Sequence, residues 1–271
     1  MSCPVSYTTY STPGWSVARI AERAAALGFD AVELRAYDGA NVPSTLGPAD
    51  CAEIRRVFDG SGLRVCAVGT SCRFAPSAEE AARAVEEGRR YIEIAARLGA
   101  PLIRVFGGAF ERAGVTEDEA VGRVAESLAA LAGPARQAGV QVALETHDGF
   151  SAGALVGRAL RQVGDAAVGA CWDWLHPCRV GETPRQTAQH LRGFLIHSHT
   201  KDARRDDQGR WQAEHFGFGA LPLGDIYAEM MAQGFAGPLS FEWERGGDPD
   251  PEEALRRYVT GVRALVAATR C

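Results

Sequence analysis

Apolar residues in this chain come in short runs, and longer stretches with helical spacing lie between many of them. The runs are VSYTTYS (5–11), DAVELRA (30–36), LRVCAVGTS (63–71), PLIRVFGG (101–108), VQVALETH (140–147), AVGACWDW (167–174), GFLIHSHT (193–200) and PLSFEWE (238–244). Short runs of this kind, rich in β-branched and aromatic residues, predict buried strands. The segments between them are amphipathic and rich in alanine. SVARIAERAAALG (16–28) predicts a helix stopped by Gly28. SAEEAARAVEEGRRYIEIAARLGA (77–100) predicts one with Ser77 as N-cap and Glu79 and Glu80 in its first turn. TEDEAVGRVAESLAALAGPARQAG (116–139) and PEEALRRYVTGVRALVAAT (251–269) repeat the pattern, with Pro251 suited to a first turn.

Strands that alternate with helices pair in parallel through right-handed crossovers. Eight such units predict an α/β chain folded as a single (β/α)8 TIM barrel. The rival is an open doubly wound sheet, which usually carries a GxGxxG loop after its first strand. Here the first run leads into YSTPGWS, which has no such loop. No linker or low-complexity tract interrupts the pattern, so residues 1–271 are expected to form one domain. The longest irregular stretch, 201–224, follows the seventh run; a loop of that length is usually functional or disordered.

Composition changes this picture little. The chain is 46% apolar and 23% charged, ordinary for a soluble globular protein. Its net charge of −5 argues against nucleic acid as a partner, because phosphate neutralisation needs clustered positive charge. No run of eighteen apolar residues predicts a membrane helix. MSCPVSYTTYS lacks the charged and apolar regions of a signal peptide, so a cytoplasmic location is expected. The cysteines (Cys3, Cys51, Cys66, Cys72, Cys171, Cys178, Cys271) are odd in number and form no CxxC, which fits reduced core or surface residues.

The strand ends carry the chemistry. In a barrel, functional groups gather at the C-terminal rim, and side chains alternate faces along a strand. In VQVALETH, Val142 and Leu144 take the outer phase, leaving Ala143, Glu145 and His147 inside. Asp173 is in phase with Gly169 and Cys171. In FLIHSHTKD, Ile196 is opposite in phase to His197, His199 and Lys201. In LSFEWE, Leu239, Phe241 and Trp243 face out, leaving Glu242 and Glu244 inside. Four consecutive strands thus deliver Glu145, Asp173, His199 and Glu242 to one rim. Three carboxylates so close repel one another unless a cation joins them. Three carboxylates and an imidazole suit one divalent metal ion, Mn2+, Mg2+, Co2+ or Zn2+, with oxygen-rich sites leaning to the harder ions.

Other inward candidates are Glu33 and Arg35 on the second strand and Arg104 on the fourth. Two readings stand for them: a buried ion pair between strands, or a clamp for a carboxylate, phosphate or polyol hydroxyls. His176, spaced D-x-x-H from Asp173, falls just past its strand, where supporting a ligand or touching substrate is more natural than core packing. Lys201 is the only lysine in a chain that otherwise uses arginine. Either a compact ammonium is needed there, or one lysine has survived by chance, paired with Asp202.

As a set, GFDAVELR (28–35), LIRVFGG (102–108), VALETH (142–147), WDWLH (172–176), HTKD (199–202), FEWE (241–244) and GFGALPLGDI (217–226) resemble the xylose-isomerase-like barrel superfamily, specifically its sugar phosphate isomerase/epimerase group. The resemblance spans nearly the whole chain. It implies one divalent metal on Glu145, Asp173, His199 and Glu242, with His176 touching substrate. Endonuclease IV resembles the same barrel but implies three zinc ions and additional histidines. This chain has no histidine before His147, and offers Glu214 and His215 where that enzyme has an aspartate-x-histidine pair; with the acidic net charge, this argues against DNA repair.

The expected activity is a divalent-metal-dependent sugar, sugar phosphate or keto-polyol isomerase or epimerase, working by proton transfer through a metal-stabilised enediolate, with manganese among the candidate ions. Glu145 and Glu242 are the candidate base and acid. His147, His176, His197, Lys201, Glu33, Arg35 and Arg104 are candidates for substrate contact, and the expected partner is a small polyhydroxy carbonyl compound. The alternatives are an inosose-type dehydratase, with His176, His197 or Lys201 as its extra acid, and a non-catalytic sugar-binding barrel. Long helices rich in small residues are compatible with a homo-oligomer.

Overall fold

The computed structural model describes residues 3–244 and 251–269. Each apolar run contributes one strand: β1 (Val5–Thr8), β2 (Ala31–Leu34), β3 (Arg64–Arg73), β4 (Leu102–Phe106), β5 (Gln141–Glu145), β6 (Val168–Asp173), β7 (Leu195–Thr200) and β8 (Leu239–Phe241). Each pairs in parallel with its sequence neighbours, and β8 closes the cylinder against β1, with Leu239 beside Val5. The result is a single (β/α)8 barrel.

Among the described residues, eight helices of seven residues or more wrap it: α1 (Val17–Leu27), α2 (Pro48–Gly60), α3 (Ala78–Leu98), α4 (Glu117–Ala138), α5 (Gly153–Val163), α6 (Pro184–His190), α7 (Leu223–Ala232) and α8 (Pro251–Ala268). Their ends follow local chemistry. Ser16 Oγ accepts from the Arg19 amide at the start of α1, and Gly28 ends that helix at φ 85°. Thr116 and Glu119 cap α4 reciprocally. The helices that periodicity does not single out are α2, α5, α6 and α7, all of 13 residues or fewer. Length alone does not separate them from α1, which has 11 residues and is predicted.

Two apolar layers hold the barrel. Val32, Leu34, Ile103, Val105, Val142 and Leu144 face outward into the main core beneath the helices, each burial contributing about 1.5–3 kcal/mol. Inside, a small cluster of Ala67, Leu102, Ala143 and Cys171 fills the barrel, with Ile196 packed against it. Ile196 corrects the sequence reading. The β6–β7 register shifts between Ala170 and Cys171, so Ala170 pairs with Leu195 but Cys171 with His197. The extra residue turns Ile196 inward next to His197. Gly169 makes this fit: a Cβ there would stand 2.5 Å from the Phe194 carbonyl and 2.8 Å from Ile196 Cδ1.

Two antiparallel ribbons follow barrel strands, Ala36–Tyr37 with Ala40–Asn41 after β2, and Asp202–Arg205 with Trp211–Glu214 after β7. The first turns through Asp38 and Gly39, both at positive φ, a hairpin signal present in the sequence as Asp-Gly. The second lies within the stretch 201–224, which is therefore not irregular throughout. Cys51, Cys66, Cys72 and Cys171 are buried, Cys178 is half-buried, and none of them is in a disulfide; Cys271 lies outside the described residues. Among the described residues, no helix is long and apolar enough to cross a membrane.

Candidate active site

The last turns of β5 to β8 converge. One ligand atom from each of Glu145, Asp173, His199 and Glu242 lies within 4.8 Å of the other three, and all four residues are buried. Phase along the strands brings them to one height, as the alternation of side chains requires.

Glu33 organises the floor of this cluster. It is fully buried, and its Oε2 accepts from His199 Nε2 at 2.8 Å, His197 Nε2 at 2.9 Å and Ser240 Oγ at 3.3 Å. With Nε2 committed to Glu33, His199 turns Nδ1 toward Glu145 Oε1 at 2.8 Å and Glu242 Oε2 at 3.5 Å. A carboxylate behind a histidine is the usual means of orienting an imidazole toward a metal. Burial alone would push His199 down, but the carboxylates of Glu33, Glu145 and Glu242 outweigh it and hold the imidazole well above its usual range. His197, buried beside it, is lowered by burial. Cys171, His197 and His199 also lie close enough to share a metal. Burial raises the Cys171 thiol well above its usual range, and both imidazoles of that trio already donate to Glu33.

Two permanent cations complete the network. Arg104 Nε lies 3.2 Å from Glu145 Oε2 and 3.6 Å from Glu33 Oε1, while Nη1 donates to the Thr70 carbonyl at 3.0 Å. Its guanidinium stacks on Phe106 at 4.1 Å. Lys201 Nζ stands 2.8 Å from Asp173 Oδ2, 2.6 Å from Glu242 Oε2 and 3.1 Å from Glu244 Oε2. The opening for chance pairing of Lys201 with Asp202 is closed. Asp202 instead accepts backbone N–H groups of Ala203, Gly217, Gly219 and Leu221, tying down the segment after the ribbon. Glu244 was read only as facing inward; its pairing with Lys201 has no sequence signal beyond that phase.

Asp173 serves twice. Its Oδ1 accepts from the amides of Leu175 at 2.8 Å and His176 at 3.1 Å, in the turn that leads into the short helix His176–Arg179, while Oδ2 faces Lys201. The D-x-x-H spacing is thus also a turn signal. His176 is buried with Nε2 lacking a hydrogen-bond partner, and burial pushes it down to about 4. His147 packs edge-on against His176 at 4.3 Å and lies 3.0 Å from Asp148 Oδ1. Burial opposes its charge, but Asp148 and Glu145 outweigh burial and raise it. Arg35 lies at the end of β2, one residue above the strand, and donates Nη2 to Ser71 Oγ at 2.8 Å. A cleft of about 670 Å³ is lined in part by Arg204, Arg205 and Glu214 of the second ribbon and by Glu244, but by none of the four cluster residues.

The charges test whether a metal fits. Glu33, Glu145, Asp173 and Glu242 are four buried carboxylates, and within ion-pair distance they meet two permanent cations, Arg104 and Lys201. Without an ion the protonated imidazole of His199 offsets part of the deficit; with His199 neutral, as a ligand must be, the deficit equals one divalent ion. Buried charge without compensation is costly, so the donor set and the charge balance both fit such a cation.

The profile of the xylose isomerase-like TIM barrel family matches residues 21–266, and the chain belongs to that family. No curated protein matches the sequence. Among solved structures, the IOLI protein with a bound zinc atom has 18% identity and a TM-score of 0.83, covering 98% of this chain and 99% of its own. An L-ribulose 3-epimerase has 18% identity and a TM-score of 0.79, covering 99% of this chain and 96% of its own. The 3-keto-D-glucoside 4-epimerase of E. coli has 18% identity and a TM-score of 0.78, covering 97% of this chain and 100% of its own. At such identities the likeness establishes the fold.

Proposed function

We propose that the protein is a divalent-metal-dependent isomerase or epimerase of a small polyhydroxy ketone or aldehyde. The observation that carries this reading is the convergence of Glu145, Asp173, His199 and Glu242 within 4.8 Å, in a network whose two permanent cations do not match its four buried carboxylates. The epimerases among the similar structures, and the zinc atom of the IOLI protein, agree with it.

Glu145, Asp173, Glu242 and His199 Nδ1 would hold the ion. When bound, a divalent cation polarises a substrate carbonyl as a Lewis acid and makes the adjacent C–H acidic. Glu145 and Glu242 approach from β5 and β8, on either side of His199, so one carboxylate takes the proton and the other returns it on the opposite face. Arg104 holds Glu145, and Lys201 holds Glu242 and Asp173, fixing the carboxylates in place. Glu33 and His197 secure His199 from below. His176 and His147 border the cluster, where a substrate hydroxyl would meet them.

A dehydratase would need a further acid beside the leaving hydroxyl. His176 is pushed to about 4 and is neutral, His197 is spent on Glu33, and Lys201 is enclosed by three carboxylates. His147, whose charge is favoured, is the acid that reading would use.

The test is metal analysis of the purified protein, followed by incubation of the loaded enzyme with ketoses and inososes in deuterated water. One divalent ion per chain and deuterium at a carbon next to the carbonyl are expected. An unsaturated or diketo product would transfer the site to the dehydratase reading, and failure to bind any divalent ion would end both.

A further inference from the structure

The buried cations of this barrel are not equivalent. Arg104 faces Glu33 and Glu145, and Lys201 faces Asp173, Glu242 and Glu244. Arg35 is 8% exposed, yet it forms no ion pair with a carboxylate among the described residues. Its Nη2 donates to a neutral hydroxyl, Ser71 Oγ, and its Nη1 is buried with no hydrogen-bond partner. Burial and the nearby charge of Arg104 both push this guanidinium down from its usual value, and Glu33 offsets only part of that. An enclosed charge left in this state is costly unless something pairs with it.

Its position indicates what that partner is. The stem of Arg35 lies on Gly69, where a Cβ would stand 2.8 Å from Arg35 Cδ, 3.0 Å from Glu33 Oε1 and 3.1 Å from Arg104 Nη2. A side chain at position 69 would displace the arginine, so the glycine lets Arg35 lie over the charged floor of the barrel. From there the guanidinium reaches Ser71, which is exposed. It therefore sits between the floor and the mouth. In the strand order, β2 lies four places from β6, directly across the barrel from Asp173. A substrate held at the Glu145–Asp173–His199–Glu242 cluster would extend toward it.

We propose that Arg35 forms a subsite for an oxyanion, a carboxylate or a phosphate, at the end of the substrate remote from the four-residue cluster. The proposal rests on the isomerase reading for the placement of the reacting end. A guanidinium fork matches the two oxygens of either group, and a hydroxyl alone would leave the charge uncompensated. The substrate class is then an acidic keto or aldehyde sugar, rather than a neutral one.

The experiment measures binding by calorimetry, on both metal-free and Mn2+-loaded protein. It uses two matched sets: dihydroxyacetone, hydroxypyruvate and dihydroxyacetone phosphate, then D-fructose, D-fructuronate and D-fructose 6-phosphate. In at least one set an anionic member is expected to bind roughly 10- to 100-fold tighter than the neutral one, the range of one charge-assisted contact. The carboxylate and phosphate arms show which oxyanion is preferred. Arg35→Gln is expected to bring the affinity ratio close to one. Ser71→Asp, a change at an exposed position, supplies Arg35 with an internal carboxylate and should abolish the preference even if the first variant folds poorly. Equal binding of neutral and anionic members by the wild type, or a preference that survives both substitutions, overturns the subsite. Because the readout is an affinity ratio, failure to bind metal or exchange deuterium would remove the catalytic reading without deciding this one.

Discussion

From β5 to β8 the strand ends offer Glu145, Asp173, His199 and Glu242, acceptors and an imidazole that share one small volume. From β1 to β4 the inward positions carry Ser6 and Thr8, then Glu33 and Arg35, then Gly69 and Ser71, then Arg104. The first half concentrates negative charge until a cation is needed. The second half supplies guanidinium groups and small residues. Arg104 crosses between the halves to Glu145, and Glu33 reaches across to His199. On the proposed function, the barrel separates two tasks around one mouth: holding a metal on one side, and orienting or receiving what meets it on the other.

The sharpest way to break this contrast is through the carboxylates assigned to chemistry. Glu145→Gln and Glu242→Gln should each lower the rate of solvent deuterium exchange by about 10²- to 10⁴-fold, the usual contribution of general acid–base catalysis. Circular dichroism should remain that of a folded barrel. Near-normal exchange in both variants would return these residues to mere ligands.

The next effect concerns the internal cation of the acidic half. Lys201→Met leaves Asp173 and Glu242 buried without their ammonium. Breaking a buried pair costs about 3–5 kcal/mol, which for a chain of this size lowers Tm by roughly 10 °C. The metal-free protein should show the full loss, and the metal-loaded protein less, because the added ion binds the same carboxylates. An unchanged Tm in the metal-free protein would mean that Lys201 does not stabilise them.

A smaller effect tests the contact across the halves. Glu33→Gln keeps a hydrogen-bond acceptor for His199 Nε2 but removes the charge. Substitutions behind a metal-bound histidine typically cost 10- to 100-fold in metal affinity, and about that loss is expected by isothermal titration with Mn2+ or Zn2+. Equal affinity in wild type and variant would show that Glu33 acts on structure alone.

The two halves also differ in how far they could be read before the fold was known. Glu145, Asp173, His199 and Glu242 were legible because each ends an apolar run in the inward phase, and that phase is a local property. Arg35 and Arg104 carried the same phase information, yet two readings remained open for both. The structure separates them, Arg104 lying in an ion-pair network and Arg35 without a carboxylate, because pairing depends on which strands face each other. Lys201 stood out as the single lysine, but its three carboxylate partners come from β6 and the segment following β8. Ile196 defeated the phase rule, since a register shift inserts a residue that alternation cannot anticipate. The Asp38-Gly39 hairpin was legible in principle from its dipeptide, while the ribbon at 202–214 hides in a polar stretch with weak alternation.

What the amino-acid sequence determined by itself is the succession of strands and helices and the side chains delivered to the rim. Both follow from interactions between residues near in the chain: hydrophobic period, caps, and the alternation built into extended backbone. What only the tertiary structure decided is the electrostatic pairing, namely which cation neutralises which carboxylate and which one is left over. That outcome depends on closure of the barrel, which brings Glu33 to His199 and Lys201 to Asp173 across separations of tens to more than a hundred residues, and no local pattern encodes a distance across the axis.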